Sequence, residues 1–183
     1  MLNSAENCNF KLGVDVGGTK IEIAALDEDG KFLLRRRAPA PKGNYFETIE
    51  LIGTLVEDAD CELGATRPVG FSIPGTISPA TGLIKNAFNS PLNGRAFDQD
   101  LSERLSRPVR MLNDANCFAI SEAKDGAAAG ANIVFGVIIG TGCGGGIIVN
   151  GKTLLGTNAI SGEWGHNPLP WPNEEELPGL KGT

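Results

Sequence analysis

Short apolar runs, separated by glycine-rich or polar turns, predict most of the secondary structure of this 183-residue chain. Three strands are predicted in quick succession at the start of the chain. The turn Asp27-Glu28-Asp29-Gly30 joins the second strand to the third, because an Asp-Gly pair tolerates positive φ. The predicted strands cover residues 10–16, 19–26 (with Ile21, Ile23 and Ala25 on one face) and 31–38. Their tight connections favour an antiparallel meander.

A helix is predicted after the meander. Asn44 stands three residues before Glu47, which is the spacing of a capping box, and Gly64 can end the helix. Its buried face is formed by Ile49, Ile52, Val56 and Ala59. The later elements are a strand at 69–73, a helix near 98–105, a strand at 108–112, an alanine-rich helix at 115–129, a central strand at 133–139 and a hairpin through Asn150-Gly151. This order predicts an α/β protein.

Composition narrows the function class. With 16 Lys+Arg against 22 Asp+Glu the formal charge is −6, which opposes a nucleic-acid surface. The longest apolar stretch, residues 133–139, is far shorter than the ~18 residues of a membrane helix. The first ten residues lack the basic start and apolar run of a secretory signal. The scattered Cys8, Cys61, Cys117 and Cys143 favour reduced thiols. We therefore expect a cytoplasmic protein with neither a membrane nor a nucleic-acid partner.

The first glycine-rich loop is Asp15-Val16-Gly17-Gly18-Thr19-Lys20, between two predicted strands. Paired glycines let backbone N–H groups approach an anion closely, Thr19 adds a hydroxyl donor, and Lys20 adds positive charge or structural support. Asp15, at the strand end, is suited to hold Mg²⁺ through water. The alternative is an ordinary hairpin turn.

The second loop is Gly140-Thr141-Gly142-Cys143-Gly144-Gly145-Gly146. Gly140, Gly142 and Gly145 satisfy the dinucleotide pattern G-x-G-x-x-G, but a strand and not a helix follows, so that interpretation is rejected. A Walker A motif is also absent from the sequence. The pattern favours a second strand-turn-strand phosphate loop, so that two loops could grip one polyphosphate. The alternative is a purely structural role for the glycines.

Asn113-Asp114 follows a predicted strand and opens a helix. An Asp at this position is typical of a helix N-cap. It is also where a catalytic base is expected, since the carboxyl ends of strands carry active sites in α/β proteins. Asp114 could then accept the proton of an attacking hydroxyl during phosphoryl transfer.

Three further polar residues are candidates for binding a sugar. Glu163 and His166 lie three residues apart in a glycine-flanked segment, and a carboxylate with an imidazole suits sugar hydroxyls. His166 could equally be a polar core residue or one ligand of a metal site. Asn89 offers an amide to hydroxyls, or is a turn residue beside Pro91.

Together these motifs give the chain, from about Phe10 to about Leu177, a resemblance to the N-terminal half of the ROK family of repressors, open reading frames and kinases. The similar motifs are Asp15-x-Gly17-Gly18-Thr19-Lys20, Pro74-Gly75, Asn113-Asp114-Ala115-Asn116, Gly140-Thr141-Gly142 and Glu163-x-Gly165-His166. Stretches such as GLIKNA, NDANC and GEWGHNPLPW look closest to the bacterial fructokinases and mannokinases of that family.

The resemblance implies an actin-like, ribonuclease-H-type ATPase fold with two domains: residues 1–112, with the first phosphate loop, and residues 113–183, the start of the second domain. It implies ATP-dependent phosphorylation of a hexose, usually at the 6-hydroxyl, and fructose or mannose is the hexose expected for this chain. Asp114 would be the general base and Mg²⁺ a cofactor. The sugar would be lined by Gly75, Asn89, Asn113, Asp114, Glu163 and His166. The phosphates would be held by Asp15, Gly17, Gly18, Thr19, Lys20, Gly140, Thr141, Gly142, Gly144 and Gly145.

The resemblance also implies a structural zinc, held by His166 and three cysteines downstream. This sequence reaches Thr183 without such a cluster, and it lacks the adenine-binding loop and the final helices of the family. A kinase for N-acetylglucosamine or glucose is the alternative within the family. A sugar-responsive repressor is a distant one, since only nine residues precede the first predicted strand. Family members are commonly homodimers, although no patch in the sequence identifies an interface.

Overall fold

The computed structural model of the chain describes residues 9–140, 142–167 and 170–174. The fold divides into two compact units, Met1–Asp114 and Ala115–Thr183, and each is described by itself. The strands are β1 Lys11–Val16, β2 Lys20–Leu26, β3 Phe32–Pro39, β4 Val69–Ile73, β5 Thr76–Ile77, β6 Ile84–Lys85, β7 Val109–Asn113, β8 Ile133–Ile139, β9 Cys143–Val149 and β10 Lys152–Thr153. The helices are α1 Tyr45–Leu63, α2 Phe97–Leu105, α3 Asp114–Asp125 and a 3₁₀ turn at Trp164–His166.

The first unit is built on a five-stranded sheet of order β3-β2-β1-β4-β7. Strands β1, β2 and β3 pair antiparallel, so the predicted meander is confirmed. Strands β4 and β7 continue the sheet parallel to β1. A short hairpin of β5 and β6 follows β4.

Alternation along the strands puts the core on one face of this sheet. On β1 the buried residues are Leu12, Val14 and Val16, whereas Asp15 is exposed on the other face. Helix α1 contributes the predicted apolar stripe to the same core: Ile49, Ile52, Val56 and Ala59 are all buried. The Asn44 side chain accepts a hydrogen bond from the Glu47 N–H at the helix start, and Gly64 ends the helix at φ +66°. Both predicted ends of α1 are therefore confirmed.

The second unit contains a three-stranded antiparallel sheet of order β10-β9-β8. Asn150 and Gly151 make the predicted hairpin between β9 and β10, both at positive φ. Ala119 of α3 packs with Val134 and Ile148 on one face of the sheet. The prediction that residues 133–139 form a central strand was wrong for the described sheet, because β8 lies at its end.

The predicted extension of α3 to Ala129 was also wrong, since the helix ends at Asp125. The side chain of Glu122 accepts a hydrogen bond from the Ala127 N–H at 2.8 Å, and the Ala128 N–H reaches the Glu122 carbonyl. A Cβ at Gly126 would overlap the Glu122 carboxylate. The chain turns back onto Glu122 at Gly126, and these contacts outweigh the helix propensity of the alanines that follow.

Two observations bear on the composition-based expectations, and a third concerns the run Arg35-Arg36-Arg37. None of the helices that the structure describes is both long and apolar enough to cross a lipid bilayer. Within the described ranges Cys61, Cys117 and Cys143 are not joined by disulfide bonds. The three consecutive arginines are ion-paired at the sheet: Arg35 and Arg37 with Glu22, and Arg36 with Glu62.

Candidate functional site

The parallel strands of the first unit bring several predicted site residues to one edge. Register pairs Asp15 of β1 with Ser72 of β4, and Ile73 of β4 with Asn113 of β7. Because the three strands run in the same direction, their carboxyl ends meet at this edge. Pro74-Gly75 follows β4 and Asp114 follows β7, so Asp15, Gly75, Asn113 and Asp114 all belong to it.

The first glycine turn connects β1 to β2 at this edge. The Gly17 N–H donates to the Lys20 carbonyl at 2.9 Å, and a Cβ on Gly17 would lie 2.9 Å from that same oxygen. A Cβ on Gly18 would meet nothing within 4 Å. Thr19 and Lys20 are exposed, and the Thr19 carbonyl accepts from the Ala40 N–H. One glycine therefore serves the turn itself, whereas its neighbour leaves the backbone open to an approaching group.

Asp15 is an exposed carboxylate with a defined hydrogen bond. The Ser72 hydroxyl donates to Asp15 Oδ1 at 2.8 Å across the β1–β4 pair. A single carboxylate with an oriented oxygen at the rim of a sheet fits Mg²⁺, which prefers few carboxylates and several waters.

Asn113 and Asp114 differ in burial although they are adjacent. Asn113 ends β7 and is 8% exposed, whereas Asp114 is exposed and is the first residue of α3. An exposed carboxylate at the end of a parallel strand is accessible to a substrate hydroxyl.

The segment that carries Asn89 is a loop anchored next to Gly75. Gly75 has φ +71°, and a Cβ there would overlap the Lys85 carbonyl and lie 2.6 Å from the Ala87 nitrogen. Asn89 is exposed at φ +49°. The backbone after β4 thus approaches the base of this loop closely.

The second glycine turn is shorter than the sequence indicates. Gly144, Gly145 and Gly146 are not in a loop but in β9, where Gly145 pairs with Val137 and Gly144 with Ile138. The Gly140 N–H donates to the Gly142 carbonyl at 2.9 Å across the turn, and Thr141 lies outside the described residues.

Packing separates the glycines of this region into two kinds. Added Cβ atoms at Gly140 and Gly142 would meet nothing within 4 Å. A Cβ at Gly145 would lie 2.7 Å from the Gly162 carbonyl oxygen. Gly145 therefore has a packing role in the structure, and its predicted contact with phosphate stays a prediction, as do those of the other turn residues.

The Glu163–His166 segment lies against the start of β9. The Trp164 indole N–H donates to the Gly144 carbonyl at 2.8 Å. A Cβ on Gly144 would lie 3.4 Å from Glu163 Oε2, so that carboxylate is close to the strand just after the glycine turn. His166 belongs to the 3₁₀ turn, but its side chain lies outside the described part of the chain.

The residues that the structure describes do not complete a zinc site. Within 9–140, 142–167 and 170–174 no group of three or more His, Cys, Asp or Glu side chains is arranged to hold a metal ion. His166 as a zinc ligand stays a prediction, and no chemical step is derived through zinc.

Three positions that reasoning from the sequence missed contribute to these surroundings. Ser72 orients Asp15, Asn93 holds the loop of Asn89, and Trp164 ties its segment to β9. The parallel pairing of β1 with β4 was the signal needed for Ser72, and only the three-dimensional register supplies it.

Comparison with known proteins agrees with these observations. A profile of the ROK family matches residues 11–179. An N-acetyl-D-glucosamine kinase of Pectobacterium atrosepticum is 40% identical over 158 residues, which are 86% of this chain and 52% of that protein. The chain thus spans about half the length of the curated relatives it matches.

Solved structures have the same architecture. The ROK hexokinase of Thermus thermophilus is similar with a TM-score of 0.77 and 31% identity, over 88% of this chain and 54% of that one. A ROK family glucokinase of Streptomyces griseus, solved in complex with glucose and AMPPNP, has a TM-score of 0.77 and 29% identity, over 88% and 51%. The α/β, actin-like ATPase fold is thereby confirmed, and the chain belongs to the ROK family.

Proposed function

We propose that the native full-length protein is a kinase that transfers the γ-phosphoryl group of ATP to the 6-hydroxyl of a hexose. The observation that carries the proposal is the shared edge of β1, β4 and β7, because Asp15, Gly75, Asn113 and Asp114 lie at or just beyond the carboxyl ends of these parallel strands. The glucokinase neighbour that was solved with glucose and AMPPNP supports both substrate classes.

In this proposal Asp114 is the general base. The sugar oxygen forms a bond to the γ-phosphorus, the bond from that phosphorus to the bridging oxygen of the leaving ADP breaks, and the hydroxyl proton goes to the Asp114 carboxylate. ATP would supply the phosphoryl group, and bound Mg²⁺ would neutralise charge on its oxygens. Asp15, oriented by the Ser72 hydroxyl, would hold the cation through water.

Backbone N–H groups of the two glycine turns would hold the phosphates, together with Thr19 and Lys20. Gly18, Gly140 and Gly142 are the best placed of the glycines, because the space beside each is open. The sugar would be held by Asn89, Asn113, Glu163 and His166. Hydroxyl-rich ligands need several such donors and acceptors at fixed positions.

We infer N-acetylglucosamine as the preferred acceptor. Stretches such as GLIKNA, which are similar to fructokinases and mannokinases, favour fructose or mannose. The curated relative at 40% identity is an N-acetyl-D-glucosamine kinase, and this supports N-acetylglucosamine as the acceptor instead. The hexokinase and glucokinase neighbours support a hexose acceptor in general. A homodimer, a cytoplasmic location and a structural zinc remain predictions from the family resemblance. DNA binding has no support in a net charge of −6.

The test is a coupled ADP-release assay on the native full-length protein with N-acetylglucosamine, glucose, mannose and fructose. We expect the highest kcat/KM for N-acetylglucosamine, because specificity is a ratio of these values. A higher kcat/KM for fructose or mannose would overturn the acceptor assignment. Absence of phosphorylation of all four sugars would overturn the kinase assignment itself.

A further inference from the structure

One side chain, that of Asn93, binds both backbone groups of Ala87 at the base of the loop that carries Asn89. We propose that Asn93 is a positioning residue for the sugar acceptor: it fixes the backbone of Ala87 and thereby the position of Asn89. The inference rests on the proposed function, since it assumes that Asn89 binds the sugar. It assigns a role to a residue outside the set proposed to bind the sugar and the phosphates.

The contact between Asn93 and Ala87 uses both atoms of the side-chain amide. The Ala87 N–H donates to Asn93 Oδ1 at 3.0 Å, and Asn93 Nδ2 donates to the Ala87 carbonyl at 2.5 Å. Both backbone groups of Ala87 are thus bound by one planar group, which fixes the orientation of the peptide as well as its distance. We call this pair of hydrogen bonds the Asn93 clamp.

The two ends of the loop are joined by contacts that do not involve the clamp. Ala87 is fully buried and Leu92 is 1% exposed, and both belong to the main core of the first unit. The Ile84 N–H donates to the Arg95 carbonyl, and the Gly94 N–H donates back to the Ile84 carbonyl at 2.8 Å. Residues 86–94 are therefore a closed loop whose two ends lie side by side.

The tip of the same loop is solvent-facing and held in an unusual backbone conformation. Phe88 is 79% exposed and Asn89 is exposed. Asn86 and Asn89 have φ of +59° and +49°, a region that Asn tolerates better than most residues. The clamp holds Ala87, which lies between these two left-handed residues, and the Ser90 N–H donates to the same Ala87 carbonyl at 3.2 Å. Loss of the clamp would leave only this longer hydrogen bond on the Ala87 carbonyl and so would loosen the conformation that presents Asn89.

A polar side chain that is already ordered binds a ligand at a lower entropic cost than one that must first be ordered. Truncation of Asn93 removes the acceptor of the Ala87 N–H, which is fully buried and so cannot turn to bulk water. The local structure must then rearrange, and Asn89 moves with it. Displacements of about 1 Å in a positioned group are sufficient to cost up to about 100-fold in activity.

The experiment compares Asn93→Ala, Asn93→Asp and Thr81→Ala in the native full-length protein. Asn93→Asp keeps an acceptor for the Ala87 N–H, but it replaces the donor to the Ala87 carbonyl by a carboxylate oxygen, so the second hydrogen bond becomes a repulsive contact. Thr81→Ala is the matched control, because Thr81 Oγ1 accepts from the Leu83 N–H in the neighbouring β5–β6 hairpin. Each variant is measured for the KM of N-acetylglucosamine, the KM of ATP and amide hydrogen exchange at Ala87.

We expect Asn93→Ala to raise the sugar KM about tenfold and to leave the KM of ATP within about twofold. The Ala87 amide should exchange at least about tenfold faster. Asn93→Asp should also raise the sugar KM, because it too breaks the Asn93 clamp, and Thr81→Ala should match the wild type in both KM values.

Two results would overturn the positioning role while leaving the kinase assignment intact. One is faster exchange at Ala87 with an unchanged sugar KM in both Asn93 variants. The other is an equal rise of both KM values, which would indicate only general loss of structure. Absence of sugar phosphorylation by the wild type would instead overturn the proposed function, and this role with it.

Discussion

The two glycine hairpins of this chain, β1–β2 and β8–β9, follow one plan with different surroundings. In each, a strand leads through a short glycine turn into an antiparallel partner. In the first hairpin Gly17 and Gly18 lie in the turn, and Gly13 of β1 is the one glycine within its strands. The second extends them into β9, where a Cβ on Gly146 would lie 2.7 Å from the Ala115 carbonyl oxygen and 2.9 Å from the Ala119 Cβ. Helix α3 therefore packs so closely on β9 that only glycine fits beneath it.

The outer faces of the two hairpins differ as well. In the first hairpin, Asp15 of β1 faces away from the core and carries a carboxylate. The outward positions of β8 are apolar, and Ile133, Phe135, Val137 and Ile139 are 71%, 52%, 42% and 73% exposed within the described residues. A count of glycines or of apolar residues is thus a poor guide to function, since packing decides what each one does.

The largest expected effect comes from comparing variants of two residues. Asp114, at the edge of β1, β4 and β7, is proposed to act in the chemical step, whereas Glu163, beside β9, is proposed to bind the sugar. Asp114→Asn should lower kcat by about 10²- to 10⁴-fold with little change in either KM, because it removes the base and keeps the shape. Glu163→Gln should instead raise mainly the sugar KM. Steady-state kinetics of both variants measures this, with Asp125→Asn, at the other end of α3, as control. Normal kcat in Asp114→Asn would exclude Asp114 as the base.

Alanine substitutions at one closely packed glycine and one open glycine of each hairpin test the comparison of the two hairpins. Gly17→Ala and Gly145→Ala should each lower the free energy of unfolding by about 1–3 kcal/mol, since the new Cβ would press on backbone oxygens. Gly18→Ala and Gly142→Ala should leave stability within about 0.5 kcal/mol, because both positions are open.

Gly18→Ala and Gly142→Ala should each raise the KM of ATP about tenfold, since the added methyl group would block the approach of phosphate to the turn. Chemical denaturation and kinetics give the two quantities separately. Wild-type KM values for ATP in stable Gly18→Ala and Gly142→Ala variants would favour ordinary hairpin turns.

The smallest effect concerns the ion pairs on the outer face of β2 and β3. Hydrogen bonds from Arg35 and then Arg37 hold the pKa of Glu22 below its usual value. A lowered pKa in the folded state stabilises the fold above the unfolded pKa, and that contribution is lost as pH falls through the folded pKa.

Glu22→Gln should therefore cost less than about 1 kcal/mol at pH 7, since both arginines are about half exposed. The difference from wild type should shrink in acid, and Asp58→Asn, an exposed acid of α1, is the control. A difference that grew as pH fell below 4 would contradict this account.

Local signals predicted the parts of the fold that depend on neighbours in sequence. The meander, both caps of α1 and the Asn150-Gly151 turn follow from alternation, capping spacing and turn chemistry. The parallel pairing of β1 with β4, the packing of Gly145 and the Asn93 clamp depend on residues far apart or on tertiary packing. The candidate site was thus predictable as a set of motifs but not as a set of contacts, and Ser72 and Asn93 were missed for that reason.

The most direct test of the central claim, that both glycine turns hold one nucleotide, is amide hydrogen exchange with and without AMPPNP and Mg²⁺. Each glycine turn has an ordinary hairpin turn in its own sheet as a control: Asp27–Lys31 in the first unit and Asn150-Gly151 in the second. The claim predicts slower exchange at residues 17–20 and at 140–144, and unchanged exchange at both control turns. Slower exchange at only one glycine turn, or at neither, would contradict it.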